Sequence, residues 1–123
     1  MDPISVKVRQ SGMQKHTFVK ITASGIVPAT PVIDATGEVT ATGADGVVFD
    51  GVLEDDGTLK VGSYADIIGV GKAQVKIKDG ETISIGDLVI PSSDGSGLAI
   101  KSPNSVGYRV YRVLGNYAYI ILK

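Results

Sequence analysis

Few side chains in this sequence could do chemistry. His16 is the only histidine among 123 residues, and cysteine is absent. A histidine-based metal centre needs several such ligands, and a Ser-His-Asp triad would have to be built on this one. His16 lies between Lys15 and Thr17 at a predicted strand start, where a surface or strand-edge imidazole is the plain reading. The acidic residues Asp45, Asp50, Glu54, Asp55 and Asp56 could offer oxygens to Ca²⁺. They do not follow the EF-hand spacing, which alternates ligands and ends in a bidentate Glu, so a solvated loop is expected. Gly69-Val70-Gly71 lacks both the third glycine of a dinucleotide loop and a following helix to hold a phosphate.

One longer stretch, Val75 to Ile90, resembles the hairpin of biotinyl and lipoyl carrier domains. Those carriers present a modifiable lysine at a hairpin tip. The matching tips here, Pro91-Ser92-Ser93-Asp94-Gly95 and Asp34-Ala35-Thr36-Gly37, contain none. No catalytic, cofactor or metal residue is therefore expected, and the chain is expected not to be an enzyme.

The bulk properties narrow the field further. Twelve basic and 13 acidic residues leave a net charge of -1, and the cations are scattered. A nucleic-acid partner would call for a basic face, so none is expected. No apolar run reaches the roughly 18–20 residues of a membrane helix, and Met1-Asp2-Pro3-Ile4-Ser5 lacks a signal-peptide pattern. The length fits one domain able to bury a core without disulfides.

Period-two alternation marks the strands. Ile4, Val6 and Val8 alternate with Ser5, Lys7 and Arg9, and Val75 to Lys78 and Tyr108 to Val113 alternate likewise. Asp45-Gly46, Asp56-Gly57, Asp79-Gly80 and Asp94-Gly95 supply turn signals between them. No stretch carries a convincing 3.6-residue period. The expected fold is all-β, a small β-barrel or β-sandwich with little or no helix.

The sequence also repeats itself. Val19-Lys20-Ile21-Thr22 matches Val75-Lys76-Ile77-Lys78, and Tyr64-Ala65-Asp66-Ile67-Ile68 matches Tyr117-Ala118-Tyr119-Ile120-Ile121. Gly51-Val52-Leu53 falls opposite Arg112-Val113-Leu114. This alignment predicts two pseudo-symmetric halves, about 18–68 and 74–121, inside a single domain spanning 17–123. Residues 1–16 then lie outside the duplication, as an N-terminal arm or an extra strand.

The run Gly86-Asp87-Leu88-Val89-Ile90, the Ser/Gly hairpin to Gly97, Leu98-Ala99-Ile100-Lys101 and Val106-Gly107-Tyr108-Arg109-Val110 resembles tailed-bacteriophage capsid decoration (cement) proteins. It is also similar to modules of phage head fibres and tail fibres. The resemblance implies a virion protein, made in the bacterial host cytoplasm, that binds the outer surface of the major capsid protein lattice. Such proteins are often homotrimers that stabilise the shell. A fibre or baseplate module for host attachment is the alternative. The resemblance further implies that an N-terminal strand could add to a capsid sheet edge. Ile4, Val6, Val8 and Arg9 are then the expected capsid contacts, and deleting residues 1–10 should leave the rest folded. Completion of the domain's own barrel by the same strand stands equally open. Beyond the arm, the acidic loop 54–63 and the Ser/Gly hairpin 91–97 are the expected binding elements.

Overall fold

The computed structural model describes residues 4–123. All of its regular structure is β, as the alternation requires, and no helix occurs among the described residues. The first half of the chain forms β1 (Ile4–Lys7), β2 (Thr17–Thr22), β3 (Gly25–Pro28), β4 (Val32–Ile33), β5 (Val39–Ala41), β6 (Gly46–Gly51) and β7 (Tyr64–Ile68). The second half forms β8 (Gly71–Lys76), β9 (Leu88–Pro91), β10 (Ala99–Lys101), β11 (Tyr108–Leu114) and β12 (Tyr117–Leu122).

Two five-stranded antiparallel sheets follow, in the orders β1-β7-β6-β2-β3 and β8-β12-β11-β9-β10. The two orders are the same. Each sheet curls until its end strands meet at one parallel bridge, Val8 with Ile26 and Ile77 with Ala99. The closing hydrogen bonds also correspond: Arg9 N–H to the Ile26 carbonyl at 3.1 Å, and Lys78 N–H to the Ala99 carbonyl at 3.0 Å. The molecule is thus two small barrels in tandem. Gly25 permits the first closure, since a Cβ there would stand 2.3 Å from the Lys7 carbonyl oxygen.

The register fixes which residues are equivalent. β1 pairs with β7 as Val6 with Ala65 and Lys7 with Tyr64, while β8 pairs with β12 as Val75 with Ala118 and Lys76 with Tyr117. β2 lies against β6 as β9 lies against β11, Phe18 facing Val47 and Leu88 facing Arg109. Both hairpins skip one residue at the same place, between Val48 and Asp50 and between Val110 and Arg112. That shared bulge equates Val48 with Val110 and Phe49 with Tyr111.

These pairs correct the sequence alignment. The counterpart of β8 is β1, and the counterpart of β2 is β9. Residues 4–16 therefore belong inside the first repeat instead of outside it. The alignment of Gly51 with Arg112 is also one residue off, because the bulge moves Gly51 opposite Val113. The first barrel carries two additions: the β4-β5 hairpin between β3 and β6, and the loop 52–63 between β6 and β7.

Each barrel is filled by matching apolar residues. Val8, Met13, Val19, Ile26, Val48, Ala65 and Ile67 fill the first, with Leu59 added from the 52–63 loop. Ile77, Ile83, Val89, Ala99, Val110, Ala118 and Ile120 stand in the same places in the second. Phe18, Ala29 and Val47 come from the first barrel but pack into the second cluster. These three side chains weld the barrels together.

Candidate interaction surfaces

The join between the barrels is built on the strand His16-Thr17-Phe18. The Lys76 N–H donates to the His16 carbonyl at 2.7 Å, and the Phe18 N–H donates to the Gly97 carbonyl at 2.8 Å. A three-residue segment of the first barrel thus seats between the β8 edge and the Ser/Gly hairpin of the second. Phe18 is wholly buried and stacks on Tyr108, with ring centroids 5.6 Å apart. Gly97 is required there: a Cβ would stand 2.6 Å from the Phe18 carbonyl oxygen, and the backbone holds φ at +72°. At least part of the Ser/Gly hairpin expected to bind a partner therefore binds the chain itself.

His16 sits at this join and not on an open surface. It is the only non-glycine with positive φ among the described residues, at 63°, and its counterpart by register is Gly86, at 93°. Its ring meets Tyr117 edge-on at 5.6 Å, and its Nδ1 is buried without a hydrogen-bond partner among the described residues. Burial holds the imidazole below its ordinary value of 6.5, and the neighbouring Lys15 charge acts in the same direction. With Phe49, Ile68 and Lys72 the ring lines a cleft of about 310 Å³. Lys72 and Gln74 are the other polar side chains in that lining.

Three of the five acidic side chains, Asp45, Asp50 and Asp56, are held by hydrogen bonds within the chain. Asp45 accepts the Ile21 N–H at 2.7 Å, and Asp50 accepts the Gly51 N–H at 2.9 Å. Asp56 accepts both the hydroxyl and the N–H of Thr58, as Asp34 does from Thr36. Those bonds, the threonine hydroxyl first, hold the carboxyls of Asp34 and Asp56 below their ordinary values. Asp94 is pushed down furthest, chiefly by Ser96. Turn-capping of this kind needs an Asp followed two residues later by Thr or Ser, a spacing legible in the sequence.

The four expected capsid contacts fall in different environments. Ile4 is 49% exposed and Arg9 is exposed, whereas Val6 is half-buried against the first core. Val8 is 1% exposed and closes the barrel, so its side chain has no face left for a partner. The expectation that deleting residues 1–10 abolishes capsid binding and leaves the rest folded meets a strand that is built into the barrel: β1 pairs with β7, and Val8 bridges Ile26. Beside Ile4 and Tyr64, the exposed large apolar residues of the first barrel are Val32 and Ile33 in β4, and Val52, Leu53 and Val61 in or beside the 52–63 loop. Both segments are additions that the second barrel lacks.

The chain shares its fold with a chain in the structure titled "The capsid of Myoviridae Phage XM1", with a TM-score of 0.60, 20% sequence identity and coverage of 99% of this chain and 82% of that one. No family model matches the sequence. Among curated proteins it is 41% identical over 108 residues to "Uncharacterized protein MJ0336" of Methanocaldococcus jannaschii, covering 88% of this chain and 86% of that protein. The chain belongs to the same family as that archaeal protein.

Proposed function

We propose that this chain is a non-enzymatic structural protein of a virus particle, which binds the outer surface of the capsid lattice as a homotrimer and stiffens the shell. The observation that carries this reading is the shared fold, which covers 99% of this chain and 82% of a chain in the phage capsid structure. The side-chain chemistry supports it: Asp34 and Asp56 cap turns and His16 sits in a barrel joint. A lattice-binding surface needs exposed apolar area. Val32, Ile33, Val52 and Leu53 provide it, on the two additions to the first barrel. We assign the capsid contact to those additions, with Ile4 and Arg9 as flanking contacts.

The test is immunogold labelling of intact virions with antibody to this chain, with copy number from quantitative mass spectrometry of the same particles. The proposal predicts label distributed over the head, in many copies per particle. Label confined to the tail or its tip would transfer the chain to the fibre or baseplate role. Absence from purified virions would overturn the virion reading altogether.

A further inference from the structure

Internal duplication has consequences at the ends. In the second barrel the site flanked by the Lys76 N–H and the Gly97 carbonyl is filled by His16-Thr17-Phe18. The same site in the first barrel lies between the Lys7 N–H and the Ser24 carbonyl. It is an open cleft of about 300 Å³ lined by Ser5, Val6, Lys7, Thr22, Ser24 and Gly25. Val8 donates to Ser63 at 2.8 Å on the β7 side, so the alternation of the strand turns the Lys7 N–H the other way, into the cleft. No hydrogen bond to that N–H or to the Ser24 carbonyl occurs among the described residues.

The second barrel in turn keeps the segment equivalent to His16-Thr17-Phe18, namely Gly86-Asp87-Leu88. Its position is fixed in the same way: Gly86 N–H donates to Val110 at 2.8 Å as His16 N–H donates to Val48 at 2.6 Å. Gly86 is exposed and Leu88 is half-buried at the wall of an open groove of about 510 Å³. Each chain therefore has one unused site and one unused segment, at opposite ends.

We propose that these ends mate: Gly86-Asp87-Leu88 of one copy seats in the Lys7–Ser24 cleft of the next, as a strand pairing like the internal joint but shifted outward, because Ser24 carries the Cβ that Gly97 lacks. Lys7 N–H would donate to the Gly86 carbonyl, and Leu88 N–H to the Ser24 carbonyl. Asp87 of the incoming segment already accepts the Ser84 N–H at 2.8 Å and stands 3.9 Å from Lys101, so the backbone pairing and not charge carries the fit, with Lys7 and Arg9 standing at the cleft. Arg9 is placed there by its Cβ, 3.4 Å from the Cβ position of Gly25. The Gly86 carbonyl already accepts Arg109 Nη1 at 2.7 Å, and a carbonyl has a second lone pair for Lys7. Such a contact is heterologous, so it closes into a ring or runs on as a filament. It deepens the homotrimer part of the function proposed above and does not depend on the capsid part.

The test uses two proline variants of the full chain, each removing one N–H. Lys7→Pro lies on an edge strand and Leu88→Pro at the first residue of a strand, both positions that tolerate proline. Sedimentation velocity of the intact chain should show a trimer or larger ring. Each variant alone should be monomeric, and an equimolar mixture should give dimers and nothing larger, because one good cleft meets one good segment. A monomeric intact chain overturns the inference, and so does an oligomer that survives both substitutions; virion labelling reports separately on the capsid role. If a proline variant fails to fold, Ser24→Cys with Asp87→Cys replaces it. Their counterparts, Gly97 and Thr17, are adjacent at the internal joint, and the chain has no other cysteine. Oxidation should yield intermolecular disulfide ladders. Exclusively monomeric product would overturn the inference. Loss of head labelling in Lys7→Pro virions, with self-association intact, would assign the cleft to a capsid segment instead.

Discussion

The two barrels share a strand order, a bulge and a set of core positions, yet their outer faces differ where one joins the other. Phe18, Ala29 and Val47 of the first barrel are wholly buried in the shared core. Their counterparts are Leu88, Ser102 and Arg109, half-buried or exposed. One face was kept apolar to make a permanent joint, and the same face of the second barrel was made polar enough to stand in water. The difference teaches that the repeat supplies a framework twice but a permanent interface only once. The first barrel, for its part, carries the two additions and the open cleft.

The largest expected effect comes from removing residues 1–10. The first barrel then loses β1, and with Val8 it loses its closure. The truncated chain should show no cooperative unfolding of that barrel in urea, followed by residue-resolved amide signals. A truncated chain that keeps native signals for β6 and β7 would break the equivalence of β1 and β8.

Next come the paired core substitutions. Phe18→Ala should cost about 3–5 kcal/mol in chemical denaturation, as for other wholly buried aromatics. Leu88→Ala should cost about half as much, because its side chain already meets solvent. Equal losses would mean that the second face is as buried as the first.

The glycine pair follows. Gly97→Ala places a Cβ against the Phe18 backbone at a positive φ and should cost roughly 1–3 kcal/mol. Ser24→Ala at the equivalent open site should stay within about 0.5 kcal/mol.

The smallest effect is the pH dependence of the joint. The folded His16 pKa lies below 6.5, so folding favours the neutral ring. Its contribution is fully present above pH 6.5 and declines as pH falls through 6.5 toward the folded value. The melting temperature should fall over that range in the intact chain, and His16→Gln should flatten that part of the profile. A joint that strengthens on acidification would contradict the burial of the ring.

Much of this fold is legible in the sequence, but not the register of its repeat. Alternation and Asp-Gly turns specify an all-β chain, because side-chain period and turn chemistry are local properties. Val19-Lys20-Ile21-Thr22 matches Val75-Lys76-Ile77-Lys78 in sequence yet holds a different place in its barrel, for a physical reason. A half-buried strand of period two looks like any other, and nothing local says which edge it pairs with. Val6-Lys7-Val8-Arg9 fits Val75-Lys76-Ile77-Lys78 at least as well, cation for cation, and that was the available signal. The bulges at Phe49 and Tyr111 and the positive φ of His16 arise from tertiary pairing and left no mark that sequence reading could use. The same holds for the cleft, which exists only because one of two equivalent sites is already filled.

Amide hydrogen exchange at four residues tests that last point most directly. In dilute, monomeric protein the amides of Phe18 and Lys76, which hold the internal joint, should exchange slowly. Those of Leu88 and Lys7, their counterparts at the free segment and the free cleft, should exchange near the rate of an open strand edge and slow when the protein concentration rises. Equal protection of Lys7 and Lys76 in the monomer, or rapid exchange at Phe18 and Lys76, would contradict the account of one filled and one vacant site.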